Sequence, residues 1–170
     1  MELAPLVRNI PDFPVKGIQF KDHTTLIKNG AAFREAIQQL GAPFTDKQID
    51  LVAAVESRGF IFGAPIAFML GAGFVPVRKL GKLPYQKINE SYTLEYGAET
   101  LEMHIDACAD GQRVLIVDDL IATGGSARAT INLIERLGGQ VAGLAFLIEL
   151  KALNGRERLK GYQVHSVIQY

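Results

Sequence analysis

Val114 to Ser126 reads VLIVDDLIATGGS, and its second half holds residue types that suit a sugar phosphate. Glycines let a backbone approach a phosphate closely. The first free N–H groups of a helix opening at Thr123-Gly124-Gly125-Ser126 would point at the anion, and the helix dipole favours its charge. Asp118 and Asp119, placed where the preceding strand should end, suit hydrogen bonds from sugar hydroxyls or a hydrated magnesium ion. One short stretch therefore implies a ribose carrying a 5-phosphate. The spacing matches neither the dinucleotide fingerprint nor the Walker lysine pattern, which disfavours a nicotinamide cofactor or nucleoside-triphosphate hydrolysis. Neighbours on a strand point to opposite faces. If both aspartates keep strand geometry, only one faces the ligand directly.

Three further clusters carry candidate chemistry. ESRGF (56–60) offers Arg58 beside a glycine turn, which suits a second anion such as diphosphate. VRKLGKLPYQ (77–86) offers Arg78, Lys79 and Lys82 in a polar loop long enough to be functional. SYTLEYG (91–97) places Glu95 and Tyr96 beside a hairpin turn, where a carboxyl group and a phenol would exclude water and handle a proton. His23, His104 and His165 are scattered without metal-ligand spacing, so packed or surface roles are expected for them. Cys108 has no nucleophile context.

The elements that must position these clusters alternate. Helical patterns cover Ala31–Leu40, Phe60–Leu70 and Ser126–Leu137. Strand patterns cover Leu51–Val55, Phe74–Val77, Arg113–Val117, Val141–Ile148 and, as an edge, Tyr162–Ile168. Thr93–Tyr96 and Thr100–Ile105 read as a small antiparallel pair, and Lys79–Tyr92 shows no clear period. The order predicts an α/β fold with a mostly parallel central sheet flanked by helices. Ligands bind such sheets beyond the carboxyl ends of the strands. There Glu56-Ser57-Arg58-Gly59, Arg78-Lys79 and Asp118-Asp119 fall on one rim.

Bulk properties narrow the class. The 170 residues carry 18 basic and 18 acidic side chains, so the basic excess of a nucleic-acid binder is absent. A single cysteine fits a reducing compartment. The longest apolar stretch, Phe60 to Val77, is broken by Gly63, Pro65, Gly71, Gly73 and Pro76, which argues against a membrane span. No basic-then-apolar leader is visible in MELAPLVRNI, and a cytoplasmic protein is expected.

With these motifs in place, the chain resembles the phosphoribosyltransferase family, and VLIVDDLIATGGS looks like that family's phosphoribosyl diphosphate motif. PDFPVKGIQFKD, ESRGFIFGAPIA, VRKLGKLP and SYTLEYG, in this order, resemble the adenine-using branch from about Pro11 onward. The resemblance implies one type I domain over 1–170. It would have a small N-terminal hood for base recognition (1–30) and a mobile flap and hairpin (79–105). It implies that adenine and 5-phosphoribosyl diphosphate give AMP and diphosphate with Mg2+, carried by the substrate rather than by a protein cage. By the same resemblance, Ala122, Thr123, Gly124, Gly125 and Ser126 cradle the 5-phosphate, and Asp118 and Asp119 hold the ribose hydroxyls. Arg58 and Lys82 meet the diphosphate. Arg78 reaches the neighbouring subunit's diphosphate, which implies a homodimer. Phe20 stacks on the purine, Gln19 and Lys21 read its edge through backbone groups, and Glu95 and Tyr96 sit on the flap, with Glu95 taking the base's proton. Lys21 stands where arginine is common in the family, and Gln19 where an aliphatic residue is. Two alternatives stay open: the same transfer to hypoxanthine, guanine or xanthine, and a non-catalytic regulator that senses phosphoribosyl diphosphate.

Overall fold

The computed structural model describes residues 1–94 and 97–170; Glu95 and Tyr96, expected on the flap, lie outside the described residues. The chain starts with β1 (Arg8–Pro11) and β2 (Gln19–Asp22), paired antiparallel as a separate two-stranded sheet. Then come the single turn α1 (Thr24–Ile27) and α2 (Gly30–Gly41). The Asn29 side chain starts α2 by accepting from the N–H groups of Ala31 and Ala32. β3 (Leu51–Val55), α3 (Arg58–Leu70) and β4 (Gly73–Lys79) follow. Next are the hairpin strands β5 (Lys87–Thr93) and β6 (Ala98–His104), then β7 (Arg113–Ile121) and α4 (Gly125–Arg136). β8 (Gln140–Glu149) and β9 (Val164–Gln169) complete the sheet.

The seven-stranded sheet runs β5-β6-β4-β3-β7-β8-β9. β3, β4, β7, β8 and β9 are parallel, and the hairpin adds an antiparallel edge through Arg78↔Glu102. This is the expected α/β class. Alternation along each strand builds two cores. Val52, Leu115 and Val117 pack with α2 and α3 on one face, and Ala53, Val114 and Ile116 pack with α4 on the other. The third dimension is tight where α3 crosses the sheet. A Cβ on Gly63 would come within 2.6 Å of the Ala54 Cβ and 3.1 Å of the Phe74 ring. No helix among the described residues is long and apolar enough to cross a membrane.

The helices and strands expected from sequence agree in their bounds to within a few residues, with two corrections, whereas β1, β2 and α1 were not expected. β7 does not stop at Val117. It runs on through both aspartates to Ile121, because β8 continues the ladder at Asp118↔Phe146, Leu120↔Ile148 and Ile121↔Glu149. Those ladder bonds outweigh the poor strand propensity of aspartate. Among the described residues the first hairpin strand is Lys87–Thr93; of the expected Thr93–Tyr96, Glu95 and Tyr96 lie outside the described residues. Its period was masked because the inward set Ile88, Glu90, Tyr92 contains a charged residue. Glu90 accepts from Asn132 Nδ2 at 2.9 Å and pairs with Arg136 at 3.2 Å, so α4 supplies partners for it.

Gly63→Val should overpack the α3–sheet contact and cost about 1–3 kcal/mol of stability. The check is a urea titration, in which the midpoint should fall with an unchanged slope.

Candidate active site

The carboxyl ends of β3, β4 and β7 and the hairpin enclose a cleft of about 250 Å³. All three rim clusters contribute: Glu56 and Arg58, Lys79, and Asp118 with Asp119. Ala122 through Ser126 form the remaining wall.

The loop between β7 and α4 takes its shape from Gly124, whose φ of 80° is a left-handed conformation that suits glycine. A Cβ there would also run into the carbonyl oxygen of Gly155, and one on Gly155 would run into that of Ala122. Two backbones therefore lie directly on each other beneath the loop. Arg156 fastens the lower one. Its Nε and Nη2 donate to Glu149 at 2.7 Å each, and its Nη1 donates to the Val164 carbonyl at 3.0 Å. This bidentate pairing holds the Glu149 carboxyl below its ordinary range. Gly124, the N-cap of α4, brings no capping side chain, which leaves the first N–H groups of the helix for an anion.

Asp118 and Asp119 are both buried, at 9% and 4% exposure, and their environments differ. Burial, and then the neighbouring charge of Asp119, push the Asp118 carboxyl well above the usual carboxylate range. Burial opposes ionisation of Asp119 too, but the His23 hydrogen bond and the Arg58 charge overcome it and hold Asp119 low. His23 Nε2 and Arg58 Nε both lie 3.0 Å from Asp119 Oδ2. The Asp119 N–H donates to Asp118 Oδ1 at 2.9 Å. β7 keeps strand geometry through both residues, yet both line the cleft.

The basic residues divide. Arg58 and Lys79 line the cleft. Arg78 donates from Nε to Glu56 Oε2 at 2.6 Å and from Nη1 to the Lys82 carbonyl at 3.2 Å. The Lys82 side chain is exposed and is not part of the cleft wall. Lys79 Nζ pairs with Glu99 at 3.1 Å, and Glu99 accepts from the Tyr92 hydroxyl at 2.7 Å. The Tyr92 ring lies so close to Gly125 that a Cβ there would be 2.8 Å from it. Burial, and then the Glu99 hydrogen bond, raise the Tyr92 phenol above its ordinary range.

Phe20 is half-buried, with the Arg58 guanidinium 5.6 Å from its ring centre and the Phe13 ring edge-on at 5.1 Å. The flanking side chains are engaged elsewhere. Gln19 Oε1 accepts from Asn9 at 2.6 Å, and Lys21 Nζ sits 4.0 Å over the Tyr170 ring. No group of three or more His, Cys, Asp or Glu among the described residues is arranged to hold a metal ion.

Sequence reasoning had not assigned Tyr92 or Glu99 to the site, and it placed Glu56 and Lys79 on the rim but left both out of the binding set. The inward alternation Ile88–Glu90–Tyr92 was the available signal for Tyr92. His23 is 96 residues from Asp119 in sequence, and no spacing rule links them.

Comparison with known proteins matches this architecture. A family model for the phosphoribosyl transferase domain matches residues 20–168. An adenine phosphoribosyltransferase of Chloroflexus aurantiacus is 59% identical over 169 residues, covering 99% of this chain and 98% of the relative. A crystal structure of adenine phosphoribosyltransferase from Thermoanaerobacter pseudethanolicus superposes with a TM-score of 0.96 at 51% identity, covering 99% of this chain and 98% of that one. The Saccharomyces cerevisiae enzyme, in a complex with an imino-altritol bisphosphate and adenine, superposes at 0.92 with 40% identity and 98% and 96% coverage.

Gly124→Ala should strain the left-handed turn by about 1–2 kcal/mol and displace it from Gly155. Calorimetry with ribose 5-phosphate should show a large loss of affinity in this variant and a lower melting temperature. Wild-type affinity in the variant would remove the loop from the phosphate site.

Proposed function

We propose that this chain, which belongs to the phosphoribosyltransferase family, transfers the 5-phosphoribosyl group of 5-phosphoribosyl diphosphate to adenine. The products are AMP and diphosphate. The observation that carries the reading is one cleft holding an uncapped helix N-terminus, a buried carboxyl pair and two cationic side chains, with Phe20 beside Arg58. Full-length similarity to adenine phosphoribosyltransferases supports adenine as the base. So does the yeast relative's complex with adenine.

In this reading the N–H groups of Thr123 through Ser126 bind the 5-phosphate, and Gly124 lets the backbone reach it. Asp118 and Asp119 accept hydrogen bonds from the ribose hydroxyls and lie near the positive charge that grows on the sugar as its bond to diphosphate breaks. Arg58, with Lys79 across the cleft, offsets the negative charge on the departing diphosphate. Lys82 would join them if its loop folds inward. Arg78 is assigned to the diphosphate of a neighbouring subunit. Phe20 stacks on the purine, while backbone groups at Gln19 and Lys21 read its edge, since both side chains have other partners. Residues 1–30 then form the base-side hood and 79–105 the flap of a single domain over 1–170. Glu95 is assigned as acceptor of the adenine ring proton, with Tyr96 next to it in sequence, from residue type and its place in the chain between β5 and β6. The buried carboxyl pair suits a hydrated Mg2+ borne by the substrate's own oxygens, and such an ion would neutralise the leaving group.

The homodimer is supported by α3, which after Arg58 carries no charged residue on any face. Its outer side leaves Phe68 at 90% exposure and Met69 exposed. A helix apolar all round is normally covered. A cytoplasmic location fits the one free thiol, Cys108.

Incubation with Mg2+, 5-phosphoribosyl diphosphate and each purine in turn should yield AMP from adenine. Turnover of hypoxanthine with none of adenine overturns the reading, because a site built for an amino group rejects a carbonyl. Glu95→Gln should lower kcat by about 10²–10⁴-fold with little change in phosphoribosyl diphosphate affinity, and unchanged turnover removes Glu95 from proton transfer. Phe68→Glu should convert a dimer to a monomer in sedimentation. A monomeric parent protein contradicts the α3 assignment.

A further inference from the structure

His23 follows β2 directly, three residues after Phe20, and is 3% exposed. Its Nε2 lies 3.0 Å from Asp119 Oδ2, and its ring meets Phe62 edge-on at 5.3 Å. An ionised carboxylate only accepts, so Nε2 carries the hydrogen that this contact needs. Nδ1 is buried and has no partner among the described residues. The ring therefore has one polar contact, and it is with a carboxyl group of the sugar-binding rim. Burying a histidine with half its hydrogen-bonding capacity unmet is costly. An apolar side chain would fill the space beside Phe62 at less cost, so packing alone does not account for this residue.

Arg58 addresses the same Asp119 oxygen from the cleft side, at 3.0 Å and with 46% of its side chain exposed. Arg58 is also assigned to the diphosphate, so ligand binding would draw on its charge. His23 approaches from the interior and is the partner that stays when Arg58 turns to ligand. Without it, a buried Asp119 would lose a hydrogen bond that favours its charge.

We propose that His23 is a positioning residue for phosphoribosyl transfer: it fixes the Asp119 carboxylate that holds the ribose hydroxyls and ties it to the base-side strand β2. This rests on the function proposed above. The catalytic contacts remain those of Asp119.

The test uses His23→Gln and His23→Met, side chains of similar length, of which only the first donates a hydrogen bond. Phe62→Leu serves as control, since it removes the ring contact while keeping the His23–Asp119 pair. His23→Met should lower kcat/KM for 5-phosphoribosyl diphosphate by about tenfold or more, with the KM for adenine near that of wild type. His23→Gln should recover most of the loss. Phe62→Leu should melt at a lower temperature with near-wild-type kinetics. Equal kinetics for His23→Met and wild type, a Gln variant no better than Met, or an equal loss in Phe62→Leu overturns the proposal.

A second measurement needs no altered catalyst. In wild-type protein labelled on its histidine nitrogens, the Nε2–H of His23 should be protected from solvent exchange and should shift when ribose 5-phosphate binds. A resonance unmoved by saturating ligand overturns the proposal even if the Met variant fails to fold. A wild-type protein that makes no AMP removes both the function and this inference. An active wild type beside an equally active His23→Met variant removes this inference alone.

Discussion

Two adjacent carboxyl groups are buried where the central strand meets its helix, and much of the molecule is arranged around that constraint. Burying one isolated carboxylate costs several kcal/mol in a protein interior, and two neighbouring charges would repel as well. The chain resolves this by making the groups unequal. Asp119 keeps its charge through His23 and Arg58, and Asp118 is pushed toward its neutral form. Strand alternation sends the two toward different sets of neighbours. That requires β7 to remain a strand past Val117, and its ladder with β8 provides this.

Close backbone approach is the second constraint, and it is met on both sides of the cleft. Gly124 lies on Gly155 below, and Gly125 lies against the Tyr92 ring above. Arg156 locks the lower support to Glu149 and to β9. The hairpin supplies the upper one, with Tyr92, Glu99 and Lys79 in a single hydrogen-bonded chain. The uncapped N-terminus of α4 is thus placed by the end of a parallel sheet and covered by an antiparallel edge. On the proposed function the sheet end would position the sugar phosphate, and the hairpin brings residues that a parallel sheet alone does not place there.

Local signals made much of this readable in advance. Strand patterns marked Leu51–Val55 and Arg113–Val117, and a helical pattern over Ser126–Leu137 marked α4. The rule that ligands bind beyond the carboxyl ends of parallel strands put Arg58, Lys79 and Asp118 on one rim from sequence alone. What escaped depended on distant partners. Glu90 looked like a break in a strand period because its partners, Asn132 and Arg136, are on another element. His23 looked like an ordinary packed histidine because Asp119 is its neighbour only in space. The strands β1 and β2 were not read as strands at all. Each has four residues and pairs with the other rather than with the main sheet; β1 is largely exposed and β2 shades from exposed Gln19 to buried Asp22, so neither shows the inside-outside alternation that marks a strand.

On the proposed function, one cleft would bind a 5-phosphate, a ribose and an adenine in sequence along its length. A crystal structure of the AMP complex tests it most directly. The phosphate should sit on the N–H groups of Thr123 through Ser126, the ribose hydroxyls on Asp118 and Asp119, and the adenine against Phe20. AMP bound away from the first turn of α4, or with its base remote from Phe20, would contradict the account.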